Sequence, residues 1–174
     1  VLWAWKGDGP GFSSPVVAEL AGMRQVVTFS ETNLVSVSAD RGELLWKLPF
    51  TTSYVQNAIT PIVRGDLVIY SGLDQAVRAL RVVRKGAAYA AEPVWENAEV
   101  ANYMSTPVLV GDRVCGLSHK KKGQLFCLAA ATGKTLWLSE GRQGENAAIL
   151  AGGGVLYALT TDSELLVADP AAGE

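Results

Sequence analysis

With His119 as the single histidine among 174 residues, a histidine-based metal cluster is excluded. A Ser-His-Asp arrangement would have one candidate base, and no G-x-S-x-G element accompanies it. Two cysteines, Cys115 and Cys127, are too few to fix a redox compartment. No excess of charge of one sign is present either. Fifteen basic residues against seventeen acidic ones give a net charge of -2, which provides no electrostatic footprint for nucleic acid or an anionic membrane. The longest uncharged apolar run, "NAAILAGGGVLYALTT" from Asn146, is interrupted by Gly152 to Gly154. It reads as a strand, a tight turn and a second strand, so no membrane span is expected. "GDGPG" from Gly7 and "AGGG" from Ala151 lack the lysine and helix of a phosphate loop. No basic and apolar leader opens the chain at Val1, and helical periodicity is missing throughout.

What remains is 49% apolar and 18% charged, a globular balance punctuated by 18 glycines and 7 prolines. The chain aligns with itself. "SSPVVAEL" from Ser13, "AITPIVRG" from Ala58, "MSTPVLVG" from Met104 and "NAAILAGG" from Asn146 superpose on Pro15, Pro61, Pro107 and Ala148. Each is followed by two more short apolar runs, and the first three then by one holding a tryptophan: "ELLWKLPF", "EPVWENAEV", "KTLWLSEG". A period of this size suits four-stranded antiparallel units, with strands A to D in chain order. One small meander cannot bury its apolar face alone, so successive units must stack, and radial stacking is an all-β propeller. The reading divides the chain into an outer strand over 1–11, blades over 12–51, 52–100 and 101–142, and an incomplete blade over 143–174.

"DRGELLW" and "ATGKTLW" place a glycine four residues ahead of Trp46 and Trp137, and Gly173 repeats the device without its tryptophan. Gly42, Gly133 and Gly173 fall in the C-to-D turn, where a short hairpin needs positive φ. Trp46, Trp95 and Trp137 then lie on strand D as core residues that dock neighbouring blades. The second unit departs from the pattern, with Ala91 in the glycine's place after a longer hairpin. "VLWAWKG" reads as a D strand without its A, B and C partners. Either it completes the last blade and closes a four-bladed ring, or the chain is a segment of a longer propeller, which is the preferred reading.

The spacing small-x-Asp-x-x-x-Gly-x-x-x-Trp, seen in "SVSADRGELLW", "CLAAATGKTLW" and the shortened "VADPAAGE", resembles the repeats of PQQ-like (pyrroloquinoline quinone-type) β-propellers, including BamB-like proteins. The aspartate of that motif is Ser38 and Ala129 in two units and is kept only at Asp169. The resemblance implies a seven- or eight-bladed parent and export to the periplasm or cell envelope; the stacked blades, with no catalytic constellation in the sequence, point to a non-catalytic scaffold that binds a protein or polymer ligand. The resemblance also implies a rival from another class, a fragment of a quinone-dependent dehydrogenase holding PQQ over calcium beside an adjacent Cys-Cys pair. This chain has no adjacent cysteines and no evident calcium set, so no cofactor is expected.

Meander topology puts the D-to-A and B-to-C loops on one rim. Gln56, Asn57, Tyr103, Ser105, His119, Lys120, Glu145 and Asn146 gather there as the candidate ligand-binding residues. The plainer reading of them is ordinary solvated or turn-forming loop residues. Cys115 and Cys127 fall nearly opposite each other on strands B and C of one blade. A cross-strand disulfide is open to them, but two small buried apolar side chains is the preferred reading.

Overall fold

Pro15, Pro61 and Pro107 each stand one residue ahead of a strand, where a missing N–H costs no ladder bond. The computed structural model describes residues 1–172, so Gly173 lies outside the described residues. Blade 1 is β1 (Val16–Leu20), β2 (Met23–Phe29), β3 (Asn33–Ser38) and β4 (Leu44–Pro49). Blade 2 is β5 (Ile62–Arg64), β6 (Leu67–Gly72), β7 (Gln75–Lys85) and β8 (Ala88–Asn97). Blade 3 is β9 (Val108–Val110), β10 (Arg113–Ser118), β11 (Gln124–Ala129) and β12 (Thr135–Leu138). Blade 4 has β13 (Ala147–Gly152), β14 (Val155–Thr160) and β15 (Leu165–Ala168). Every sheet is an antiparallel meander in chain order, and the four form consecutive blades of a β-propeller.

The blades are joined by apolar side chains that belong to two sheets at once. Phe29 and Phe50 of blade 1, with ring centroids 4.9 Å apart, meet Tyr70 of blade 2 at 6.4 and 5.5 Å. The same cluster holds Leu20, Trp46, Leu80 and Val82. Between blades 2 and 3 lie Ile69, Val77, Phe126 and Leu128; Leu156 and Ala158 carry the core into blade 4. Burying one such side chain contributes about 1.5–3 kcal/mol, so seams rather than single sheets hold the fold. At the ends the apolar face is open: Val17 is 54% exposed on blade 1, and Leu150, Leu159 and Leu165 exceed 50% on blade 4.

Each outer strand carries a β-bulge one residue before its tryptophan. Trp46 pairs with Ser36 while Leu44 pairs with Val37, leaving Leu45 extra. Val94 is extra before Trp95, and Leu136 before Trp137. A bulge of this kind re-aims the next side chain. Opposite the three indoles stand the small residues Ser36, Ala79 and Cys127.

Two expectations are corrected. Residues 1–11 form no strand, because among the described residues no strand C lies alongside to share a ladder with them. Trp3 nonetheless lies against the Gly42 turn, and its Nε1–H donates to the carbonyl of Ala39 at 3.0 Å. Cys115 and Cys127 are not two thiols but a disulfide. They are directly opposed across β10 and β11 with Cα atoms 4.1 Å apart, and both are fully buried.

Candidate functional site

The rim formed by the D-to-A and B-to-C loops is laced together by the polar residues that the sequence placed there. Tyr103 donates its hydroxyl to Gln56 Oε1 at 3.0 Å, linking consecutive D-to-A loops. Asn57 is buried, and its Nδ2 points at the carbonyls of Ser30, Glu31 and Phe50 at 2.9 to 3.1 Å. Buried Ser105 accepts the Ala147 N–H at 2.8 Å, and Asn146 Oδ1 accepts the Met104 N–H at 3.2 Å. These hydrogen bonds join blades or their loops, so Gln56, Asn57, Tyr103, Ser105 and Asn146 all hold the scaffold together.

Further contacts tie the same rim. Asp8 receives Ser30 Oγ at 2.6 Å, Asn33 Nδ2, the Gly9 N–H at 2.9 Å and Thr32 Oγ1 at 3.2 Å. The Ser30 and Asn33 hydrogen bonds are the largest causes that lower its carboxyl from 3.8 to about 2. His119 has Nδ1 3.1 Å from the Ala101 carbonyl and Nε2 3.2 Å from Asp74 Oδ1. Both ring nitrogens are engaged, and the ring bridges the B-to-C turns of blades 2 and 3. Lys120 turns away to donate to the Ala98 carbonyl.

A charged cleft of about 460 Å³ opens between blades 3 and 4, lined by His119, Lys122, Arg142, Gly144, Glu145 and Asp162. Its walls are two interlocked loops: Arg142 N–H donates to Lys121 O and Gln143 N–H to Gly123 O, both at 3.1 Å. Lys121, Lys122 and Arg142 all take positive φ, 53°, 64° and 70°, a conformation non-glycine residues rarely adopt. Of the eight candidate ligand-binding residues, His119 and Glu145 reach this cleft; Lys122 and Asp162, from B-to-C loops that the topology puts on the same rim, line it as well. Arg142 was not foreseen, because in "SEGRQGEN" nothing marks it apart from an ordinary solvated arginine. The cleft can pair opposite charges and offer hydrogen bonds.

Among the described residues no group of three or more His, Cys, Asp or Glu could hold a metal, and no helix is long and apolar enough to cross a membrane. The residues present do not fit a calcium-bound quinone beside paired cysteines, because the cysteines here are twelve residues apart, locked to each other and sealed in the core.

The family described as outer membrane protein assembly factor BamB matches residues 1–139. No curated protein matches the chain. Among solved structures, BamB from Moraxella catarrhalis superposes with a TM-score of 0.72 at 16% identity, covering 99% of this chain and 51% of that one. The computationally designed Ika4 protein gives 0.70 at 13% identity, covering 97% of both. The quinohemoprotein alcohol dehydrogenase ADHIIG from Pseudomonas putida HK5 gives 0.70 at 14% identity, covering 99% of this chain and 34% of that one. The chain thus spans about half the length of the BamB structure and about a third of the dehydrogenase. At these identities the likeness is one of fold.

Proposed function

The chain belongs to the family described as outer membrane protein assembly factor BamB, and on that premise we propose that it is a non-catalytic binding propeller of the cell envelope. Its ligand is a protein or other polymer held on the rim of the D-to-A and B-to-C loops. The observation that carries this reading is the cleft between blades 3 and 4. Lys122, Arg142, Glu145 and Asp162 line it, and none of the four makes an ion pair among the described residues. Charges held on a stiff scaffold and left without internal partners favour recognition of a complementary surface. The Cys115–Cys127 disulfide supports export, since such bonds persist in oxidising compartments. No observation favours the dehydrogenase reading.

Photo-crosslinking tests the proposal. A benzoylphenylalanine is placed at Lys122 or Glu145 on the cleft rim and, for comparison, at Gly86 on the opposite rim of the full-length protein in its own cells. Discrete adducts from the first two positions and none from Gly86 are expected. Adducts from Gly86 alone, or from no position, would overturn it.

A further inference from the structure

A second concavity opens on the same rim, and its chemistry differs from that of the charged cleft. Phe12, Gln56, Ala58 and Met104 line a notch of about 240 Å³. They come from the D-to-A loops that lead into blades 1, 2 and 3. Phe12 is 73% exposed and Met104 50% exposed, so two large apolar side chains flank the opening without cover. A dry cavity of roughly 150 Å³ suffices for benzene, and this notch therefore has room for one large apolar side chain.

Gln56 gives the notch a polar edge. Its Oε1 accepts the Tyr103 hydroxyl, which fixes the amide, while Nε2 has no hydrogen-bond partner among the described residues. A fixed donor beside an apolar hole suits a backbone carbonyl next to an inserted side chain. The loop entering the notch is held in an uncommon shape: Tyr54 and Val55 have φ of 63° and 56°, and positive φ is an outlier for β-branched valine. Buried Asn57 and the Val55 N–H bond to Thr52 O at 3.0 Å hold it there, leaving Tyr54 81% exposed. Retained strain of this kind accompanies binding loops. The Met104 N–H to Asn146 Oδ1 bond connects the notch to the loop whose Glu145 lines the charged cleft.

We infer that the Phe12–Gln56–Ala58–Met104 notch is a side-chain subsite for an extended polypeptide: it takes one aromatic or long aliphatic residue, while charged residues further along the ligand reach Lys122 and Arg142. This rests on the rim-binding reading and adds which side chain the rim selects. The apolar lining sets the anchor and the adaptable thioether of Met104 fits more than one shape; beyond the anchor, Lys122 and Arg142 can take acidic residues of the ligand, beside Glu145 and Asp162, which line the same cleft and can take basic ones.

The test uses the full-length protein and two fluorescein-labelled peptides, Gly-Gly-Phe-Gly-Asp-Asp-Gly and the same peptide with Ala in place of Phe, read by fluorescence anisotropy. Burying a phenyl ring predicts about tenfold tighter binding of the Phe peptide. Ala58→Phe, which fills the notch, abolishes that difference. Met104→Arg, at an exposed position with little bearing on folding, does the same. Equal affinities, no binding of either peptide, or a Phe preference that survives both substitutions would overturn the subsite. Rim photo-crosslinks that persist unchanged in Met104→Arg protein would sink the notch while leaving the rim reading intact; loss of all rim crosslinks from the unsubstituted protein would remove both.

Discussion

The indole of Trp95 lies over Gly133 of the following blade, and its Nε1–H donates to the Ala130 carbonyl at 3.1 Å. Trp3 treats Gly42 and Ala39 in the same way, and Trp137 donates to the Pro170 carbonyl at 2.9 Å. The glycine therefore does two jobs, taking φ of 70° in the turn and leaving bare backbone on which the previous blade's indole rests.

Gly133→Ala should accordingly destabilise by more than a turn penalty alone, because the new methyl overlaps the Trp95 ring. We expect about 2–4 kcal/mol, from positive-φ strain plus overpacking, measured by urea unfolding. Trp95→Ala should cost a similar roughly 2–4 kcal/mol, being half-buried. In the double mutant the two losses should be less than additive; full additivity would mean the two residues do not interact.

Trp46 is the exception. Its Nε1–H donates to Gln25 Oε1 at 3.0 Å within its own blade, and Ser36 Oγ donates to the same oxygen at 2.7 Å. In blade 2, Tyr89 and Ala91 of the long hairpin pack at the seam instead of a glycine turn. Gln25→Leu strands two buried donors and should lower stability by about 2–4 kcal/mol, again by urea unfolding. A neutral result would show that both donors find other partners.

The Cys115–Cys127 disulfide is inaccessible in the folded protein. Dithiothreitol followed by iodoacetamide should leave it unlabelled in native buffer and label both cysteines in denaturant, read by mass spectrometry. Replacing both cysteines with alanine should cost about 3 kcal/mol by the loop-entropy account, a fall in Tm of roughly 6–12 °C for a chain of this size.

Asp8 makes the rim acid-sensitive. Its folded carboxyl titrates near 2 against an ordinary 3.8, so the unfolded chain takes up the proton first. The stabilisation is fully present above about pH 4 and is lost as the pH falls towards 2. Amide-exchange protection at Ser30 to Asn33, taken relative to the intrinsic rate at each pH, should fall across that window. In Asp8→Asn protein the protection should already be reduced at neutral pH and show no acid step.

Much of this architecture was legible in the chain. The prolines, the repeat and the glycine–tryptophan spacing each have a local cause that survives without knowledge of neighbours. The disulfide was harder, because spacing put Cys115 and Cys127 nearly opposite, but only the register makes them a facing pair. The rim was harder still. Asn57 and Ser105 look like exposed loop residues in sequence, yet each serves a backbone group of another loop or blade, and that pairing exists only once the blades have stacked. Phe12, Ala58 and Met104 lie in three different loops, so no window of sequence brings them together.

The bulges before Trp46, Trp95 and Trp137 carry a consequence for how such a chain can change. Because the extra residue sits beside the indole, each tryptophan's aim is reckoned from strand C and not from the tip of the hairpin. Blade 2 shows the freedom this gives: Gly86 turns the chain nine residues ahead of Trp95 rather than four, yet the ring arrives in the same place on the next blade. The blade 2 hairpin tip, where no side chain packs on Gly86, is thus open to lengthening, and a short epitope inserted between Lys85 and Ala88 should be displayed there without disturbing the stack.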